Sequence, residues 1–157
     1  MKILGVAIVL FSGMAIAVAL SKEEDKKLLR TRAWIELLIL VRSSVDGYSM
    51  SASEILASCD RRLLSRLGYP DCELVPQSLS ALAQSVDIPD REIADAVSDF
   101  LSDFGKNYRE YQVSRCDDCI GKLRERETAL ALQIPAKKKV VFAVSLCAAA
   151  AVVILLL

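Results

Sequence analysis

DIPDREIADAVSDFLSDFGKNYREYQVSRCDDCIGKL, running from Asp87 to Leu123, is the stretch that decides the fold. Asp87-Ile88-Pro89-Asp90 is a helix-start signal: a carboxylate can cap free amides, and a proline in the first turn gives up an N–H that has no partner there anyway. Beyond it, Ile93, Val97, Leu101, Phe104, Tyr108 and Tyr111 recur at steps of three or four, and the same side continues through Cys119, Leu123 and Leu130. That spacing predicts a long helix whose apolar stripe lies along a neighbouring helix, with a break at Gly105. Nowhere in the chain do Val, Ile, Thr and aromatics alternate with polar residues at the strand period, so the predicted fold is all-α, an antiparallel helical bundle.

Working outward toward the N-terminus, Ser78 to Val86 reads as a shorter helix. Before it, Ser51 and Glu54 have the spacing of a reciprocal capping box and predict a helix with Ile55, Cys59, Leu63 and Leu67 on its apolar face, stopped by Gly68 and Pro70. Glu23 to about Val45 predicts one long helix ended by Asp46-Gly47, with Leu28, Ile35, Leu38 and Val45 on a recurring face. Within it, Ala33 to Val41 is apolar nearly all round except at Glu36, which marks it as the centre of the core.

The two ends have a different composition. Ile3 to Leu20 and Val140 to Leu157 carry no charge, and each reaches roughly 27 Å as a helix, close to the hydrocarbon thickness of a bilayer. All 20 Lys and Arg except Lys2, and all 20 Asp and Glu, fall between them, so the balanced total hides a highly charged middle. The expected organisation is an N-terminal transmembrane helix over 1–21, a cytoplasmic helical domain over 22–136 and a C-terminal transmembrane helix over 137–157. Ala17-Val18-Ala19 would also suit a signal-peptide cleavage site, but the run is long for a signal core and Lys22, Lys26, Lys27, Arg30 and Arg32 follow at once. Lys137, Lys138 and Lys139 flank the second run on the same side, so the positive-inside rule predicts a two-span protein of the cell membrane with its central domain in the cytoplasm. Pro135 is expected to separate the long helix from the last anchor.

The residue inventory predicts a non-enzymatic role. The absence of histidine removes the commonest general base and every Ser or Cys mechanism that relies on an imidazole. The six glycines are isolated and none forms a phosphate-cradling loop. Five cysteines, one of them Cys147 inside the second apolar run, do not suggest a disulfide framework. Cys116-Asp-Asp-Cys119 could share a metal or cycle as a redox pair, yet on a helix the two thiols read as small buried residues, and Cys59 and Cys72 are too widely spaced to complete a zinc site. Acids interleave with bases in Lys22 to Arg32 and Lys122 to Glu127, which points to solvated helix faces rather than a nucleic-acid surface. No catalytic residue, metal, cofactor, nucleic acid or small-molecule substrate is expected. Trp34 and the row Phe100, Phe104, Tyr108 and Tyr111 are expected in the core; any that are exposed become first choice for a docking patch.

Leu101-Ser-Asp-Phe104-Gly105, followed by Tyr108-Arg109-Glu110 and Gln112, is similar to a pattern of the stage III sporulation protein AB family of endospore-forming bacteria, and Ser49-Met50-Ser51 to Leu56 resembles the family's second helix start. The resemblance covers the whole arrangement of anchor, charged helix, short-helix region, long aromatic helix and terminal anchor. Lys106-Asn107 departs from the leucine-glycine pair usual in that family, and the helix before the last anchor is short. The resemblance implies a membrane component of the mother-cell channel complex facing the forespore, with a helical domain similar to the inner-membrane platform proteins of type II secretion. It also implies that the chain docks a cytosolic secretion-type ATPase, of the stage III sporulation protein AA type, beside other channel-complex membrane proteins. The expected docking residues are Arg109, Glu110, Gln112 and Trp34. A generic membrane scaffold unrelated to sporulation, or a thiol or metal protein using Cys116 and Cys119, are the alternative readings.

Overall fold

The computed structural model describes residues 2–48, 50–70, 74–88 and 90–156, with the side chains of 2–11, 48, 153, 155 and 156 outside that description. The described residues form helices and connecting turns, without a strand: α1 (Lys2–Tyr48), α2 (Ala52–Ser58), α3 (Arg61–Leu67), α4 (Leu79–Ser85), α5 (Arg91–Asp103) and α6 (Arg109–Leu156). The all-α expectation holds. Two compact units form, one from the residues up to Lys26 together with those from Leu130 onward, the other from Lys27–Ala129.

In the unit Lys27–Ala129, α1 and α6 run antiparallel, since Arg32 pairs with Glu127, Arg42 with Asp117 and Asp46 with Arg109 as the numbering rises on one helix and falls on the other. The short helices complete the bundle, with α4 against α2 and α5. Ala33 to Val41 is the centre of the core as expected: Trp34, Leu37, Leu38 and Val41 are fully buried together with Ile55, Leu56, Leu67, Leu82, Val97 and Leu123. Burying each of the larger side chains contributes about 1.5–3 kcal/mol, which outweighs what capping and ion pairs supply. Within the interleaved charge runs, Arg30 reaches Asp87 and Arg32 reaches Glu127, so these bases are met by acids.

Local signals placed most helix ends. The Ser51–Glu54 capping box forms, with both its hydrogen bonds present. Gly68 closes α3 at φ 98, a left-handed backbone that suits glycine. Ser78 caps α4 by accepting the Ala81 N–H. Four expectations need correction. The single helix from Ser51 to Gly68 is two helices, because Cys59 turns extended and the Asp60 carboxylate accepts the Arg62 N–H to start α3. The helix start after Val86 is capped by Asp90, which accepts the Ile93 N–H; Asp87 instead accepts from Arg30, and Pro89 lies outside the described residues. Helix α1 runs through Asp46-Gly47 to Tyr48. Pro135 lies inside α6 and does not end it; proline removes one backbone donor, and at this exposed position the helix continues on either side.

In the other unit, Lys138 contacts Asp25 with both carboxylate oxygens at 2.7 Å, and Lys137 lies 3.7 Å from Glu24. A Cβ placed on Gly13 would sit 3.3 Å from the Ala149 Cβ, so α1 and α6 approach closely here as well. Among the described residues no helix is long and apolar enough to cross a membrane. The expected spans 1–21 and 137–157 extend onto residues 1–11 and 153–157, where most side chains lie outside the described set.

Candidate functional site: the groove at the α5–α6 turn

The stripe that predicted α5 and α6 changes environment at their junction. Ile93, Ala96, Val97 and Phe100 are buried on α5, and Cys116, Cys119, Ile120 and Leu123 are buried on α6. Between them α5 closes at Phe104, whose N–H donates to the Phe100 carbonyl, and Gly105 takes φ 83 as the Lys106 N–H donates to Asp103. The left-handed step costs a side chain about 1–2 kcal/mol and glycine nothing comparable, which explains a glycine at this bend. Because the chain turns there, the next two members of the stripe lose their cover: Tyr108 is 92% exposed and Tyr111 47%. The expectation of a wholly buried aromatic row is therefore corrected for these two, while Phe100 stays in the core, its ring centroid 5.3 Å from that of half-buried Phe104.

Three polar ties hold the turn. Arg109 donates to Asp46 at 2.8 Å, joining the start of α6 to the end of α1. Its hydrogen bond and charge hold the Asp46 carboxyl below the ordinary carboxylate range. Gln112 donates through Nε2 to the Asn107 carbonyl at 2.7 Å and braces the turn from within. Arg115 reaches the Asp103 carboxylate and the Asp99 carbonyl, linking α6 back to α5.

Beside this turn lies a groove of about 420 Å³, floored by Val45, Met50, Leu79, Leu101 and Phe104 and walled by Gly105, Arg109 and Gln112. A second depression on the other side of Arg109 is framed by Asp46, Tyr108, Glu110 and Val113. The combination of an apolar floor, exposed tyrosines and an arginine at the rim has the residue types that dominate binding energy at protein interfaces. Of the four residues predicted to dock a partner, Arg109, Glu110 and Gln112 sit together here. Trp34 does not join them: only 2% of it is exposed, inside the apolar segment of α1, and it is a core residue. Sequence reasoning missed Val45 and Leu79 as groove residues. They come from helices far apart in the chain, and no local pattern could have brought them together.

The cysteine pair has a different character. Cys116 and Cys119 are buried on one face of α6, and Cys119 donates to the Ala96 carbonyl at 3.6 Å. Burial, reinforced for Cys116 by Cys119 and Asp117, pushes the Cys116 thiol up to about 12. Burial pushes Cys119 up to about 11, with Lys122 and Arg115 pulling the other way. Both stay protonated at neutral pH, the reverse of what nucleophilic or metal-binding thiols need. No group of three or more His, Cys, Asp or Glu able to hold a metal occurs among the described residues, and Cys72 lies outside them.

Comparison with known proteins adds nothing to these observations: no family model matches the sequence, and neither a curated protein nor a solved structure is matched.

Proposed function

We propose that the chain is a non-enzymatic membrane component of the mother-cell sporulation channel complex, and that its central helical domain holds a cytosolic secretion-type ATPase at the membrane. The observation that carries the reading is the coincidence at the α5–α6 turn. The residues that resemble the stage III sporulation protein AB pattern, from Leu101 to Gln112, supply Leu101, Phe104, Arg109 and Gln112 to the groove lining and carry the almost fully exposed Tyr108 beside it. Tyr108, 92% exposed beside this groove, gains from burial only if a partner covers it. The basic flanks of both apolar runs favour a cytoplasmic position for that surface. A domain fixed at the membrane raises the local concentration of whatever docks on it, which is a scaffold's contribution without any chemistry of its own. The protonated, buried state of Cys116 and Cys119 argues against the thiol reading.

Affinity purification of the full chain from detergent-solubilised membranes of sporulating cells tests this. The wild type should bring down the ATPase, and Tyr108→Ala combined with Arg109→Glu should lose at least about tenfold of it, as expected when two central interface residues are removed. Undiminished recovery with folded variant, or normal counts of heat-resistant spores after deletion of the gene, would sink the proposal.

A further inference from the structure

In the unit formed by the two chain ends, the described side chains of the uncharged runs are sorted in the opposite sense to the core of Lys27–Ala129. In water, large apolar residues go inside and small ones are tolerated anywhere. Here Ala17 and Ala149 are buried, while Met14, Ile16, Leu20, Phe142, Val144 and Leu146 are exposed. Gly13 faces Ala149 so closely that a Cβ there would meet the Ala149 Cβ at 3.3 Å and the Ser145 carbonyl at 3.5 Å. Gly13 and Ala17 on α1, and Ser145 and Ala149 on α6, each stand four residues apart, the spacing that lets two helices approach when dispersion between backbones, rather than expulsion of water, holds them. Beside this seam Met14, Ile16, Leu20, Phe142, Val144 and Leu146 are left exposed, while Leu130 and Ile134 are buried nearer the charged end of the unit.

Two independent contacts fix the register. Gly13 against Ala149 and Asp25 against Lys138 lie roughly 18 Å apart along α1 and roughly 17 Å apart along α6, running in opposite directions, so the helices stay matched from one contact to the other. The ion pairs Lys138–Asp25 and Lys137–Glu24 form where the uncharged run gives way to charge. In water such exposed pairs are worth little, but at the edge of a hydrocarbon layer they satisfy charges that would otherwise border lipid.

We propose that the two apolar segments enter the bilayer as a single pre-packed antiparallel hairpin, not as two separate anchors: the Gly13–Ala17/Ser145–Ala149 seam lies inside, acyl chains cover the large residues outside, and the Lys138–Asp25 clasp marks the headgroup boundary. The occupant of this exposed apolar surface is lipid hydrocarbon. The inference rests on the membrane part of the reading above and not on the ATPase.

The test is a disulfide formed in the full chain reconstituted into phosphatidylethanolamine–phosphatidylglycerol vesicles, with Cys147→Ala to remove the thiol already in the run. Gly13→Cys with Ala149→Cys brings two Cβ atoms to 3.3 Å, a few tenths of an ångström short of the roughly 3.5–4.5 Å a disulfide spans, so a small outward shift of the helices lets mild oxidation give an intrachain bridge. Met14→Cys with Ala149→Cys turns the first thiol about 100° around α1 and should give at least about tenfold less. Bridges between two chains at position 13, or equal yields from the two pairs, overturn the hairpin. Gly13→Leu supplies a second readout, since it should lower the detergent-solubilised chain's resistance to thermal aggregation whereas Ile16→Ala should not; equal behaviour counts against the seam. Release of the chain from native membranes by alkaline carbonate would defeat both the hairpin and the membrane reading. Retention in the membrane without the Gly13–Ala149 bridge defeats the hairpin alone.

Discussion

Replacing Asp90 by alanine should be among the most damaging single changes outside the apolar core. The carboxylate is 8% exposed, caps α5 through the Ile93 N–H and receives Arg126 through three contacts of 2.8–3.1 Å. Losing the cap costs about 1 kcal/mol. Breaking a fully buried pair costs about 3–5 kcal/mol, but Arg126 is a quarter exposed and keeps Glu92 at 3.3 Å, so only about 1–2 kcal/mol of that applies. The total of about 2–4 kcal/mol should lower Tm by about 5–15 °C, read by circular dichroism on the full chain in detergent. Asp90→Asn keeps the cap and should cost only about 1–2 kcal/mol. The difference between wild type and this variant should also depend on pH. Burial raises the Asp90 pKa, but the Arg126 hydrogen bonds and charge, with the Ile93 and Glu92 amides, outweigh it and the net displacement is downward. A carboxyl depressed on folding stabilises fully above its unfolded pKa, near 3.9, and loses that contribution as the pH falls through the lower folded value. The advantage of the wild type over Asp90→Asn should therefore be complete at pH 7 and shrink below about pH 4. A Tm for Asp90→Ala within about 2 °C of wild type, or an advantage over the asparagine variant that grows in acid, would refute this reasoning.

Glycines give paired tests of opposite sign. Gly105→Ala forces a side chain into φ 83 and should cost about 1–2 kcal/mol, whereas Gly121→Ala, in α6 with open space around it, should gain about 0.5–1 kcal/mol; urea titration of the full chain distinguishes them. Trp34→Ala should cost about 3–5 kcal/mol because the residue is core rather than contact surface, and should unfold the domain by the same assay while Tyr108→Ala leaves its midpoint nearly unchanged. Iodoacetamide at pH 8 should label Cys116 and Cys119 only after denaturation, since both thiols are buried and raised; mass spectrometry of the folded chain showing either one modified early would contradict their environment.

The helix ends that were legible in the sequence depend on neighbours a few residues apart. Ser51 with Glu54, Ser78, Gly68 and Gly105 all act within one turn, and the structure uses each as its local chemistry suggests. The break between α2 and α3 was hidden by the periodicity itself: Ile55, Cys59, Leu63 and Leu67 step evenly across it, and only the competing cap at Asp60 reveals the interruption. Pro135 shows the opposite error, a local stop signal overridden because a long helix absorbs the loss of one backbone hydrogen bond. For the candidate site, the stripe identified the correct face but not its cover. Tyr108 and Tyr111 continue the spacing of Val97 and Leu101, and they become exposed only because the chain bends at Gly105. Whether an apolar face meets another element is a tertiary fact, which is also why Trp34 could be placed as a docking candidate and turn out to be core.

The docking account is tested most directly by a photo-crosslinking amino acid placed at Tyr108 in the full chain, in sporulating cells, with Leu74 as a second exposed apolar position on another segment. The account predicts an adduct between position 108 and the cytosolic secretion-type ATPase, and far less from position 74. An adduct with that ATPase from neither position, or equally from both, would contradict it.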